Sequence, residues 1–247
     1  MCKVSQVGAR LQEIPLLGLM VCKIMKKEEF LQRYSPDCEL LMTMAQRLYG
    51  KNCLAAFDGN LSFRCSDDLI AITPRARPKA FIKKEEIAVL RLNGECVFGD
   101  ASSEKWMHLE VYRNHKEAQA VIHAHPPAAI AWTLRYPEAR EVPPDFMSEM
   151  FLALGKVAVI PFQIPGTPEM GLALKEELKE SQVLLLSRHG ALSWGRSIEE
   201  SYFGIERIEH SMQILLMAEG RRDLAPLPSK DFEELKKIRS QMPAGIY

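Results

Sequence analysis

Two histidines stand two residues apart at the end of an apolar run, Val121-Ile122-His123-Ala124-His125, and two prolines follow. On an extended strand, residues i and i+2 project to the same side. His123 and His125 therefore present two imidazoles from one strand end, at a spacing that suits a single divalent cation. A third histidine, His189, ends another apolar run, Val183-Leu184-Leu185-Leu186-Ser187-Arg188-His189-Gly190. Catalytic zinc sites keep three protein ligands and one open position. Three neutral imidazoles would leave the full charge of the cation available to an oxyanion on a substrate. Taken singly, a strand histidine is more often a half-buried, hydrogen-bonded core residue than a ligand. The paired spacing at a strand end is what favours a metal.

Two upstream segments could bind an anion. Ala101-Ser102-Ser103-Glu104 opens a helical pattern, and a helix start leaves backbone N–H groups free for a phosphate. The plainer alternative is a cap, with a serine at the N-terminus and Glu104 favoured by the helix dipole. Asp58-Gly59-Asn60-Leu61-Ser62 reads as a turn into a strand. A glycine there also lets a phosphate approach the backbone closely.

The elements that must position these residues alternate between helix and strand. The apolar periodicity predicts a helix over Glu28 to Tyr49, interrupted at Pro36. Strands are expected at 61–64, 68–73, 87–92, 95–98, 120–124, 156–161, 183–187 and 191–194. Asn93-Gly94 predicts a type I′ hairpin, so the sheet is not purely parallel. Helices are expected at 103–115, capped by Ser102 or Ser103, at 127–135, at 168–180, and from Ser197 towards Glu219. This is an α/β chain with helices covering a central sheet.

Lysine plus arginine equals aspartate plus glutamate at 32 each, so the net charge is near zero. With no basic run, nucleic acid is not expected as a partner. The six cysteines form no C-x-x-C pair and none follows Cys96, which suits reduced thiols in the cytoplasm. The apolar stretch Ile14 to Cys22 is far shorter than the roughly 20 residues a bilayer span needs, so no membrane association is expected. Residues 1–27 are expected to be a poorly ordered extension, with Met25 a natural start, and 28–247 a single domain.

Taken in order, Gly59-Asn60-Leu61-Ser62, Ile72-Thr73-Pro74, Ser102-Ser103-Glu104, His123-Ala124-His125 and Arg188-His189-Gly190 resemble the class II aldolase/adducin family over residues 36 to 220. The resemblance implies a three-layer α/β/α subunit around a mixed, largely antiparallel sheet. It also implies a homotetramer with sites between subunits. By the same resemblance His123, His125 and His189 are the ligands of Zn2+, or of another divalent metal. Glu104 is the catalytic acid/base, and Gly59, Asn60, Ser102 and Ser103 hold the substrate phosphate. The activity implied is aldol cleavage of a small sugar phosphate, as in fuculose-1-phosphate aldolases, through a metal-stabilised enediolate. Decarboxylation of a phosphorylated sugar acid, or epimerisation, is the alternative, and a non-catalytic adducin-like scaffold the least favoured reading. Epimerases of the family tend to carry aspartate where Glu104 stands. Two departures matter. The family's Thr-Pro-Thr-Gly loop reads Thr73-Pro74-Arg75-Ala76 here, so Arg75, or else Arg77, could pair with a phosphate or carboxylate instead, the plainer alternative being that both are solvated loop residues. No tyrosine lies near Pro144 to Met147, which leaves the proton donor open between Asp145, Glu149 and none; Tyr247 could fold over a site, although terminal residues are usually frayed.

Overall fold

The computed structural model describes residues 25–219, 224–243 and 245–246. Most of the expected extension therefore lies outside the described residues, as does Tyr247. One eight-stranded sheet carries the chain, with strands β1 (Asn60–Arg64), β2 (Leu69–Ile72), β3 (Ala88–Arg91), β4 (Cys96–Phe98), β5 (Ala120–Ala124), β6 (Val157–Ile160), β7 (Val183–Leu186) and β8 (Gly190–Gly195). Their order across the sheet is β4-β3-β2-β1-β5-β8-β7-β6. Only the β6–β7 pair is parallel.

The apolar runs of the central strands exist because both faces of the sheet are covered. In β7, Val183 and Leu185 face one helical layer while Leu184 and Leu186 face the other. The first layer holds α1 (Lys27–Gly50), α3 (Pro127–Arg135), α4 (Ser148–Leu154) and α6 (Ile198–Glu219). The second holds α2 (Lys105–Asn114) and α5 (Pro168–Leu172). A last helix, α7 (Ser229–Gln241), lies on α4, where Arg239 donates to the Phe151 and Leu152 carbonyls. The three layers match the fold class expected from the sequence.

Four local expectations are corrected. The kink in α1 falls at Tyr34 (φ −112°, ψ 18°), two residues before Pro36, because a proline ring crowds the turn that precedes it. At Asn93-Gly94 only the glycine has positive φ, at 96°. The hairpin is thus closed by a Gly94 N–H to Arg91 carbonyl turn and not by type I′ geometry, which needs two positive φ angles. The helix expected over 168–180 stops at Leu172 and resumes only as a 3-10 turn at Glu177–Lys179. Gly171, against the Trp106 carbonyl where a Cβ would come within 2.7 Å, weakens it. Finally, α2 begins at Lys105 with Glu104 at its cap position, and neither serine side chain caps it. The Ser102 hydroxyl instead accepts from the Glu104 N–H at 3.3 Å. Helices α4 and α7 were not anticipated.

Candidate metal centre

Strands β5 and β8 pair antiparallel, with His123 opposite Leu192 and Ala124 opposite Ala191. The three-residue turn between β7 and β8 therefore delivers His189 to the same sheet edge as His125. That turn needs Arg188 in the left-handed region (φ 61°), with its N–H held by the Thr133 hydroxyl at 2.9 Å. Gly190 follows because no side chain fits: a Cβ there would lie 2.4 Å from the Ala124 carbonyl and 2.9 Å from the His123 ring.

The three imidazoles form a near-equilateral cluster, with ring centroids 4.8–4.9 Å apart. Glu104 completes it, and one ligand atom from each of the four residues lies within 4.8 Å of the others. The Glu104 carboxylate is 3.2 Å from His189 Nε2 and 3.5 Å from His123 Nε2.

The second nitrogen of two rings sets their tautomers. His123 Nδ1 donates to the Ala191 carbonyl at 2.9 Å, and His125 Nδ1 faces the Asp58 carboxylate at 3.3 Å. Both Nε2 atoms then carry bare lone pairs, yet they lie 3.0 Å apart. Two lone pairs repel at that distance unless a cation lies between them. Tetrahedral coordination with Zn–N bonds of about 2.0–2.1 Å would set two nitrogens about 3.3 Å apart. His189 Nδ1 is buried with no hydrogen-bond partner. The donor set fits a divalent cation.

Burial, against the pull of Glu104, pushes the His123 imidazole down to about 3, and burial also lowers His125. At Glu104, burial favours the neutral acid. The facing His123 and His189 edges and the Asn60 N–H more than offset this, so the carboxyl sits below its ordinary range.

The other expected residues divide. Asn60 lies opposite His123 on β1, and its Nδ2 donates to Glu104 at 2.8 Å. Gly59 precedes it at φ 70°, with the His123 carbonyl where a Cβ would stand. Ser102 is buried beside Thr73, while Ser103 is exposed. Arg75 is not brought to the cluster. Its side chain is 61% exposed and faces Asp100 at 3.5 Å. Asp145 and Glu149, near the start of α4, make no contact with the imidazoles among those of the described residues. A cavity of about 600 Å³, lined by Lys51, Cys53, Phe203, Glu206, Glu209 and His210, lies on the α6 face.

Sequence reasoning missed three supporting groups. Asp58 orients His125. Lys79, 3% exposed, donates to the Phe57 and Arg77 carbonyls at 2.7 and 2.8 Å, clasping the loop before β1 to the loop after β2. His108, fully buried, bonds Asn60. The spacing of Glu104, His108 and Tyr112 at i, i+4 and i+8 was the available signal, since these share one helix face.

Several known proteins are similar to this chain. The 3-oxo-tetronate 4-phosphate decarboxylase of Haemophilus influenzae is 26% identical over 203 residues, covering 81% of this chain and 97% of its own. The L-fuculose phosphate aldolase of Methanococcus maripaludis is 29% identical over 178 residues, covering 72% and 95%. The solved L-fuculose-1-phosphate aldolase of Thermus thermophilus is 27% identical and superposes with a TM-score of 0.65, covering 83% and 97%. Residues 39–216 match the model of one family, and by that match the chain belongs to the class II aldolase and adducin N-terminal domain family.

Proposed function

We propose that this chain is a divalent-metal-dependent carbon–carbon lyase acting on a small phosphorylated sugar or sugar acid, with aldol cleavage as the leading reaction. The observation that carries this reading is the convergence of His123, His125, His189 and Glu104, whose ligand atoms lie within 4.8 Å of one another, with the His123 and His125 Nε2 atoms 3.0 Å apart. His123, His125 and His189 would hold the ion, Zn2+ by the resemblance. A cation bound there supplies Lewis-acid polarisation of a substrate carbonyl and stabilises an enediolate.

The chain's own residues do the rest. The Ala191 carbonyl and the Asp58 carboxylate fix two of the rings. Glu104, held by Asn60, takes and returns the proton on carbon, within reach of both His123 and His189. Gly59, Ser102 and Ser103 would line the anionic end of the substrate, while the Arg75 side chain stays exposed against Asp100. The side chain of Asn60 is already committed, so its part is to orient Glu104.

Decarboxylation is kept as a second reading for two reasons. The Haemophilus relative that carries that name aligns over 81% of this chain, and the Thr-Pro-Thr-Gly loop of sugar-phosphate aldolases is altered here. Cleavage of a ketose 1-phosphate and loss of CO2 from a 3-oxo acid phosphate leave the same enediolate of dihydroxyacetone phosphate, so one site serves either. A panel of ketose 1-phosphates and 3-oxo sugar-acid phosphates, with products identified by mass spectrometry, separates them. An aldehyde plus dihydroxyacetone phosphate supports aldol cleavage, CO2 release supports the second reading, and no turnover of any member with metal present defeats both.

The assembly we propose is a cytoplasmic homotetramer with sites between subunits. The exposed Tyr49–Phe81 pair, with ring centroids 5.2 Å apart, offers a self-associating surface. Light scattering would give the subunit count. Among the described residues no helix is long and apolar enough to cross a membrane.

A further inference from the structure

We infer that His108 is a positioning residue for Glu104, acting through Asn60 at the head of a buried donor chain that runs Tyr112, Ser62, His108, Asn60, Glu104. The inference rests on the reading of Glu104 as the group that moves the substrate proton.

Two periodicities build the chain. Asn60 and Ser62 alternate onto the α2 face of β1, opposite His123 and Val121. Glu104, His108 and Tyr112 recur every four residues along α2 and its cap. The strand pair and the helical triplet interdigitate. Ser62 and His108 are fully buried and Tyr112 is 1% exposed.

The proton positions follow by elimination. Asn60 Nδ2 donates to Glu104 Oε2 at 2.8 Å, so Asn60 Oδ1 points the other way and can only accept. His108 Nε2, 2.5 Å from that oxygen, must therefore carry hydrogen. Burial keeps the ring uncharged, pushing it down to about 3. His108 Nδ1 is then bare and accepts from the Ser62 hydroxyl at 2.6 Å. The Ser62 oxygen in turn accepts from the Tyr112 hydroxyl at 2.8 Å. Every donor points towards Glu104, and successive bonds in such a chain strengthen one another. At the far end the Arg64 guanidinium lies 4.9 Å from the Tyr112 ring centroid and donates to the Tyr112, His115 and Ala118 carbonyls, closing the network.

The role is specific. Rotated by half a turn, the Asn60 amide would put its oxygen against the Glu104 carboxylate. With hydrogen on Nε2, His108 holds the Asn60 oxygen on its own side and keeps Nδ2 towards Glu104; a ring protonated on Nδ1 instead would accept from Nδ2 and release it. A packing role alone would need neither the tautomer nor the direction of the bonds.

The test uses metal-loaded enzyme and the exchange of deuterium from D2O into dihydroxyacetone phosphate, which reads proton movement on carbon. His108→Met should slow exchange at saturation about 10- to 100-fold, as removal of outer-shell partners typically does, with KM nearly unchanged. His108→Gln should recover most of the rate, because its amide N–H reaches the Asn60 oxygen. In a Glu104→Gln background His108→Met should cost nothing further. The 15N shifts of His108 should report a protonated Nε2 and a bare Nδ1. A wild-type rate in His108→Met, no recovery in His108→Gln, full multiplication of the two losses, or the opposite tautomer would each overturn the inference. Should His108→Met not fold, Ser62→Ala and Tyr112→Phe carry the test: graded losses support the chain, and two wild-type rates overturn it. A wild-type rate in Glu104→Gln instead defeats the parent reading, so the two failures are distinguishable.

Discussion

His123 and Arg75 each lie within a few residues of a strand end, and their surroundings differ sharply. His123 is fully buried, one ring nitrogen is fixed by a strand carbonyl, and its neighbours on β1 and β8 are set by ladder register. The Arg75 side chain is 61% exposed and faces only Asp100 across 3.5 Å. The imidazole cluster inherits the rigidity of a sheet covered on both faces, whereas the Thr73–Arg77 loop is held by a Pro74–Ala101 bridge, the Arg75 N–H to Asp100 carbonyl bond, the Arg77–Glu86 ion pair and the Lys79 clasp, and Arg75, Ala76 and Arg77 are exposed. On the proposed reading the sheet would hold the chemistry, and the loop is where recognition would be sought.

The largest effects should come from the rigid side. Glu104→Gln is expected to lower kcat about 10²- to 10⁴-fold, the usual worth of a general acid–base group, with metal content unchanged. Steady-state kinetics beside metal analysis would check this, and a small loss would remove proton transfer from Glu104. Asp58→Asn weakens the partner of His125 Nδ1 and should loosen metal binding about 10-fold. Isothermal titration with Zn2+ would read that shift.

The uneven legibility of the sequence follows the same division. His-x-His before two prolines exposed the cluster because a strand's two-residue period is rigid, and β5 and α3 fall at the expected residues. Strand order was unreadable, since it depends on pairings between segments more than 60 residues apart, such as β5 with β8. Helices α4 and α7 were missed: the first is only about two turns, too short for its Met150, Ala153 and Leu154 stripe to stand out, and the second buries no residue fully. The donor chain escaped notice because Ser62, His108 and Tyr112 look ordinary until a strand and a helix are placed face to face.

Protonation offers a third test. His108 is held near 3 when folded, against about 6.5 unfolded. Between those values the unfolded chain binds the extra proton, so stability rises with pH there and falls as the solution is acidified from about 6.5 towards 3. Each such histidine contributes a slope of at most about 1.4 kcal/mol per pH unit. Thermal melts at pH 7.5 and pH 5 should differ in that direction, and less so in His108→Gln. A wild-type protein more stable at pH 5 would contradict the buried neutral ring.

The smallest effects belong to the loop. Arg75→Ala should change kcat by less than about threefold and act, if anywhere, on KM, as an exposed ion pair is worth little. A collapse of kcat would move the loop into the chemistry. Ala76 sits at φ 50°, where glycine is unstrained. Ala76→Gly should stabilise the protein by up to about 1 kcal/mol, read as a Tm rise of about 2–4 °C.

The most direct test is a crystal structure of active, metal-supplemented protein, with anomalous scattering used to place the ion. One divalent cation about 2.0–2.2 Å from a ring nitrogen of His123, His125 and His189 alike is the predicted result. An active enzyme whose three rings diverge, or whose ion lies elsewhere, would contradict it.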